Sequence, residues 1–377
     1  MHRVLITGGA GFIGSNLTLK LLNEGYRVTV LDNLNEQIHG ENPNNSYTYN
    51  LIKDKVRFVK GDVNNTEDWK KALEDVNLVV HLAAETGTGQ SMYEINKYIG
   101  SNIGGTAKLL ELLTNEQHKI EKLIVAASRA VYGEGKFECE KHGIVYPNSR
   151  IDEDMSKGDF EVKCPVCKND VTMLATDEES PLHPTSVYGF TKQAQEQLCM
   201  IVGKSIKLPV VAFRFQNVYG PGQSLKNPYT GILSIFSTRI KNGNDINVFE
   251  DGYETRDFVY IDDVTDAIIL GIENDNANFE VFNVGSGEKI NVSSVAKTLR
   301  DKYRSDVNIN VSGNYRLGDI RHNLADLSHI NEKLGYEPKV SFKQGISNFV
   351  DWVEKQEIES DNYNKSIEEM KDKGLYK

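Results

Sequence analysis

Cysteine is scarce in this chain. Four cysteines in 377 residues cannot staple a secreted scaffold of this size, so a reducing, cytoplasmic setting is expected. No apolar run is long enough to span a bilayer. With a first strand expected from residue 3, no secretory leader is expected either. An excess of basic charge is also missing. The 43 lysines and arginines stand against 54 acidic residues, for a net charge of −11. That sign argues against nucleic acid or an anionic membrane as partner. An anionic small substrate would need locally concentrated arginines. Internal repeats and low-complexity tracts are absent. The length suits two domains, or one large domain with a lobe.

What is present begins with MHRVLITGGAGFIG. Val4 to Ile6 reads as a buried parallel strand, and Phe12 to Gly25 has helical periodicity. Between them Gly8, Gly11 and Gly14 are spaced as G-x-x-G-x-x-G, a variant of the dinucleotide fingerprint. Gly8 permits a tight turn, Gly11 lets a pyrophosphate approach, and Gly14 lets the helix sit close to the sheet. The first helical residues, Phe12 and Ile13, present N–H groups suited to an anion. A second run, Tyr26 to Leu31, ends at Asp32, followed by Asn33. An acid there accepts ribose hydroxyls and repels a 2′-phosphate, which favours NAD over NADP.

Strand and helix continue to alternate. Apolar runs at 56–59, 78–82 and 123–127 imply a doubly wound parallel sheet of the Rossmann type. Asp62 and Val63 fall where the adenine would lie, with Asp62 open to a plain helix-capping role. Leu82, Ala83 and Ala84 fall beneath the cofactor. Thr86, Thr88 and Ser91 lie on a glycine-rich loop that could meet substrate. Asn102 could bond the cofactor or only its own backbone. Ser128 ends a strand, and Tyr188 and Lys192 are four apart on one helical face. A nearby lysine cation and an oxidised nicotinamide would lower the Tyr188 pKa and make it a base at neutral pH.

TGGAGFIG, HLAA, SNIGGT, SRAVYG, YGFTK, RFQNVYGPG, RDFVYIDDV and GDIRHNLAD together resemble the extended short-chain dehydrogenase/reductases, specifically the nucleotide-sugar epimerases and dehydratases. The resemblance runs from Met1 to about Trp352. It implies Ser128, Tyr188 and Lys192 as catalytic residues. Family dehydratases carry an Asp-Glu pair after the serine; here Arg129 and Ala130 stand there and can do neither proton transfer. What remains is reversible hydride transfer at one carbon, the 4-epimerase pattern, with a 4-keto sugar turning over between removal and return of the hydride. The resemblance also implies Asn217, Arg256 and Arg316 on the substrate diphosphate, with Arg321 a weaker candidate. Arg129 and Gln216 would face the sugar. Tyr229 and Thr230 open the substrate lobe, and Phe249 would pack on the base or belong to the core. The stretches 84–92 and 222–231, with the insert described next, resemble dTDP-L-rhamnose 4-epimerases, which interconvert that sugar nucleotide and dTDP-6-deoxy-L-talose. The rivals are a UDP-hexose or UDP-N-acetylhexosamine 4-epimerase, a nucleotide-sugar reductase or dehydrogenase, and a non-catalytic NAD-sensing protein. A homodimer through the helices near 102–113 and 188–202 is implied as well.

The chain between Tyr132 and Tyr188 is longer than a strand–helix connection needs. It carries Cys139-x-x-His142 and Cys164-x-x-Cys167, the spacing of a tetrahedral zinc site. The alternatives are a loop with reduced thiols or one disulfide. Cys199 reads as core. The expected layout is a nucleotide domain over 1–205 with the Cys-rich insert at 134–180. A smaller, interleaved substrate lobe spans 206–250 and 276–355. Residues 251–275 return to the nucleotide domain, and 356–377 form a polar tail.

Overall fold

The computed structural model describes residues 2–229 and 231–377. Seven strands form the central sheet: β1 (Arg3–Thr7), β2 (Arg27–Asp32), β3 (Arg57–Lys60), β4 (Leu78–His81), β5 (Lys122–Ser128), β6 (Val210–Phe215) and β7 (Val281–Val284). Their order is β7-β6-β5-β4-β1-β2-β3, and every neighbouring pair is parallel. β1 and β5 read as continuous apolar runs because both faces of the sheet are covered. On one face lie α1 (Phe12–Asn23) and, further along the chain, α4 (Ile261–Glu273), with Leu17, Leu21 and Ile268 fully buried. On the other lie α2 (Gly105–Asn115) and α3 (Val187–Ile206), with Leu109, Leu113 and Cys199. The expected Rossmann architecture and the core place of Cys199 are thus present.

The strand order reverses between β1 and β4, and the cleft opens there, beyond the carboxyl ends of the strands. Gly8 makes the turn at φ +66°. Gly14 brings α1 down onto that turn; a Cβ at Gly14 would meet Gly9 Cα at 2.6 Å and press on the Gly8 carbonyl oxygen.

The lobe boundaries differ from the sequence expectation. Residues 210–215 and 281–284 are sheet strands, not substrate lobe, because Ala212 and Phe282 fill the same apolar layers as β5. Conversely Thr255–Tyr260 does not return to the main sheet. It pairs with Asn217–Tyr219 and Lys289–Asn291 in a three-stranded sheet; only α4 returns. The lobe has its own core around Phe236, Phe258, Leu299 and Phe349. The insert holds a small antiparallel sheet of 137–139, 143–145 and 172–173. The polar tail is not frayed: α5 (Tyr363–Asp372) buries Tyr363, Ile367 and Met370. Among the described residues no helix is long and apolar enough to cross a membrane.

Gly14→Ala is expected to cost about 1–3 kcal/mol through overpacking, read as a lower urea midpoint. An unchanged midpoint would mean that α1 does not bear on the turn.

Candidate functional site

Two adjoining cavities, of about 480 and 330 Å³, occupy the cleft. Gly8, Gly11, Phe12, Ile13, Gly14, Asp32, Asn33, Val63, Leu82, Ala83, Ala84 and Lys192 line the first. Thr88, Arg129, Asn217, Tyr229, Phe249, Arg256 and Arg316 line the second. Thr86, Ser128, Tyr188, Gln216 and Gln223 border both. Thr230 lies outside the described residues.

The first cavity suits an anion followed by a diol. α1 starts at Gly11 with no side-chain cap and no acidic residue in its first turn, which leaves helix N–H groups and the dipole for a ligand. Asp32 takes hydrogen bonds from the Ala10 N–H at 2.9 Å and the Leu34 N–H at 2.8 Å. Burial raises its pKa, while nearby His39 and those two N–H groups pull it back. The His39 Nε2 stands 3.8 Å from the carboxylate and Nδ1 is 2.8 Å from the Ser46 hydroxyl. His39 was not legible as part of the site, since nothing local marks it.

Three expected ligands are spent elsewhere. Asp62 accepts from the Asn64 N–H and takes a 3.3 Å bond from Asn33. It is not the cap of the following helix; Asn65 is. Asn102 is fully buried: its oxygen accepts from the Glu85 N–H, and its amide donates to the Glu85 carbonyl and the Thr191 hydroxyl. It staples the loop after β4 to α3 instead of facing the cleft. The Ser91 hydroxyl accepts from the Tyr188 N–H at 3.0 Å and donates to the Thr88 carbonyl, so it seats the tyrosine.

Tyr188 sits in the first turn of α3, capped by the Ser186 hydroxyl. The sequence reading has Lys192 lowering its pKa. Here burial raises it, and the Ser128 hydroxyl and Arg129 guanidinium pull it back. Lys192 is itself buried, which lowers its pKa to about 7. Its ammonium donates to the Gln195 oxygen at 2.6 Å. Gln195 donates to the Thr106 hydroxyl, which lies 3.0 Å from His81. His81 in turn reaches Thr7 of β1. This buried chain ties Lys192 to the sheet, and only the three-dimensional neighbourhood shows it.

The second cavity concentrates cations. Arg129, Arg256 and Arg316 surround Asp319 and, despite its burial, hold its carboxyl far below the usual range. Arg316 bonds Asp319 at 2.7 Å and lies over the Phe249 ring at 5.1 Å. Arg256 is fixed by the carbonyls of Thr255, Ile320 and Arg321. The side-chain oxygens of Gln216 and Gln223 are buried without a partner where the cavities meet. Buried polar atoms seldom stay unpaired unless a ligand or water serves them. Gln223 was missed because a loop glutamine carries no signal. Arg321 is corrected: only 1% exposed, it is consumed by Glu161, Glu250 and Asp251 and lines neither cavity.

The insert reaches this cavity through Arg150, which grips Glu250 with two 2.8 Å bonds and lies 3.4 Å from Glu134. Burial pushes Glu134 up to about 7. At the insert's far end Cys139, His142, Cys164 and Cys167 converge, their ligand atoms all within 4.8 Å. Cys139 and Cys167 sulfurs are 3.7 Å apart, and His142 Nδ1 is 3.5 Å from Cys139 and from Cys164. A disulfide needs about 2 Å, so that alternative is not what is seen. A tetrahedron with metal–sulfur bonds of about 2.3 Å has edges close to those found. The backbone N–H groups of Lys141 and His142 and the His142 ring lower the Cys139 thiol pKa, and thiolates are what a zinc ion takes.

Arg150→Met is expected to cost about 3–5 kcal/mol, because it strips a cation from buried carboxylates. Lys70→Ala, which removes an exposed pair with Glu116, should leave the midpoint close to that of the intact chain, because water and salt screen such a pair. Urea unfolding of the two variants side by side checks the contrast.

The model of the NAD dependent epimerase/dehydratase family matches residues 4–150 and 168–285, leaving out part of the insert. A dTDP-L-rhamnose 4-epimerase of Burkholderia thailandensis is 37% identical over 96% of this chain and 97% of its own. A putative UDP-glucose 4-epimerase of Methanocaldococcus jannaschii is 30% identical over 93% and 98%. Among solved structures, the UDP-glucuronic acid 4-epimerase of Bacillus cereus, in complex with UDP-glucuronic acid and NAD, superposes with a TM-score of 0.75 at 27% identity. That match covers 93% of this chain and 99% of that one. By fold, by cleft and by these likenesses, the chain belongs to the NAD dependent epimerase/dehydratase family.

Proposed function

We propose that this chain is an NAD-dependent nucleotide-sugar 4-epimerase interconverting dTDP-L-rhamnose and dTDP-6-deoxy-L-talose. The observation that carries the reading is Ser128 and Tyr188 at the junction of two cavities with Lys192 in the first, and Arg129 and Ala130 where an acid–base pair would be needed for dehydration. The choice of sugar rests on the Burkholderia thailandensis relative.

The residues present fit NAD: the uncapped α1 start for the pyrophosphate, Asp32 for the adenosine ribose, Lys192 for the nicotinamide ribose. Bound there, NAD would accept and return the hydride at C4. The Tyr188 phenolate takes the proton from the 4-hydroxyl as the keto sugar forms and, as the phenol, gives it back when the keto group is reduced; the Ser128 hydroxyl bonds the same oxygen. The Arg129 guanidinium favours the phenolate. Arg256, Arg316 and Asn217 hold the diphosphate, a planar-fork pairing suited to guanidinium. Gln216 and Gln223 offer their unpaired oxygens to hydroxyls of the sugar while it turns to present its other face. Because the hydride returns to the carbon it left, NAD is not consumed.

In the insert we place one structural zinc on Cys139, His142, Cys164 and Cys167. Four protein ligands leave no position open for catalysis. A homodimer through α2 and α3 accounts for Phe190 and Ile201, large apolar side chains left exposed on α3. The free cysteines suit a cytoplasmic setting.

NMR of dTDP-L-rhamnose incubated with the protein and trace NAD should show C4 inversion without accumulation of NADH. Net NADH formation would point to a dehydrogenase. Tyr188→Phe should lower kcat by about 10²–10⁴ with bound NAD unchanged; normal turnover would overturn the assignment. Metal analysis should find about one zinc per chain, and less than about a tenth would remove the zinc site.

A further inference from the structure

Residues 361–377 do more than end the chain. Tyr363, Ile367 and Met370 lie at i, i+4 and i+7 of α5, which puts them on one helical face. That face is buried, and with Ser366 it walls the second cavity. The spacing marks an apolar face, but only the fold shows that this face lines a cavity.

The wall is fastened at three places. Glu369 accepts hydroxyl bonds from Tyr229 at 2.5 Å and Tyr93 at 3.3 Å, and the two phenols are 2.6 Å apart. Arg239 lies over the Tyr363 ring at 4.4 Å and pairs with Asp361 at 3.2 Å. The third fastening grips the segment that carries Arg316. The Tyr315 N–H donates to the Lys377 carbonyl at 2.9 Å, the Lys377 N–H donates to the Tyr315 carbonyl at 3.0 Å, and the Leu317 N–H donates to the Leu375 carbonyl at 3.0 Å. Arg316 and Tyr376 are thereby paired as in an antiparallel ladder. The Tyr376 ring meets Phe249 edge-on at 5.3 Å, and Phe249 lies beneath the Arg316 guanidinium.

We propose that residues 361–377 form a built-in wall of the substrate pocket and that Tyr376 is a positioning residue, holding Arg316 through Phe249 and the shared backbone ladder for the diphosphate of a nucleoside-diphosphate ligand. The proposal rests on the nucleotide-sugar reading of the second cavity. None of the segment lines the first cavity. Loss of the wall therefore weakens the nucleotide sugar and leaves the dinucleotide in place. Guanidinium–diphosphate pairing gains strength from water exclusion, and an arginine held in place gives up less side-chain freedom on binding.

The experiment compares the intact chain, a chain stopped after Ser360, and the variants Glu369→Gln, Tyr376→Ala and Tyr376→Phe. Each is assayed for bound NAD, thermal midpoint, dTDP affinity by calorimetry, and KM and kcat for dTDP-L-rhamnose. The stop is expected to raise the dTDP Kd and the sugar KM at least about tenfold, with NAD content unchanged and kcat within about threefold. Tyr376→Ala should raise KM about threefold or more with kcat held, and Tyr376→Phe should restore it. If the shortened chain does not fold, Tyr376→Ala and Glu369→Gln decide. A dTDP Kd within about twofold of intact in both, or a fall in kcat and NAD content that matches the rise in KM, overturns the proposal. An intact chain that binds dTDP but leaves dTDP-L-rhamnose uninverted defeats the function reading and leaves the wall standing. An intact chain that binds no dTDP defeats both.

Discussion

The close approach of α1 to the turn after β1 is the constraint on which the site depends. Gly14 lets the helix rest against Gly8 and Gly9. The helix start then points into the gap where the strand order reverses between β1 and β4. From that one approach follow the open N–H groups, the place of Asp32 one strand away, and the direction from which a dinucleotide would bring its far end to Tyr188. A bulkier residue at Gly14 would not merely loosen a helix; it would tilt the floor of the first cavity.

The second cavity is assembled differently. Its walls come from stretches far apart in the chain: the loop at 86–89, the end of β5, residues 216–229 and 231–236, the strand around Arg256, the segment around Arg316, and α5. What organises it is charge. Arg129, Arg256 and Arg316 gather round the carboxylate of Asp319, and behind them Arg150 and Arg321 pair with Glu250, Asp251 and Glu161. An acidic chain thus gathers guanidiniums where a diphosphate would sit. Burying ions is costly unless each is paired. The insert shares in that pairing through Arg150 and Glu161, which gives it a place in the lobe's architecture beyond its own small sheet.

The legible part of the site was the part read from neighbours in sequence. The glycine triplet with Asp32, and Tyr188 with Lys192 four residues on, are fixed by the geometry of one turn or one helical face. The Cys-x-x-His and Cys-x-x-Cys pairs belong here too, because each pair is close by covalent connection alone. Errors came where a residue type allowed two uses. Asn102 and Ser91 are polar and near the cleft, but each was captured by a group on α3 that only the fold brings within reach. Arg321 carries the same charge as Arg316 five residues earlier; one meets carboxylates on every side and the other faces the cavity.

By itself the sequence determined the alternation of strand and helix, the dinucleotide turn, the pairing of Tyr188 with Lys192 on one helical face and the two close Cys/His pairs of the insert. Those are local or nearly local facts, set by periodicity, by backbone freedom at glycine and by spacing along one helix. Only the tertiary structure decided that β6 and β7 belong to the main sheet, that Lys192 is tied to Thr7 through Gln195, Thr106 and His81, and that the polar last stretch becomes a pocket wall. Each of these depends on contacts between segments tens to hundreds of residues apart, where burial and pairing depend on what lies across the gap and not on what lies next along the chain.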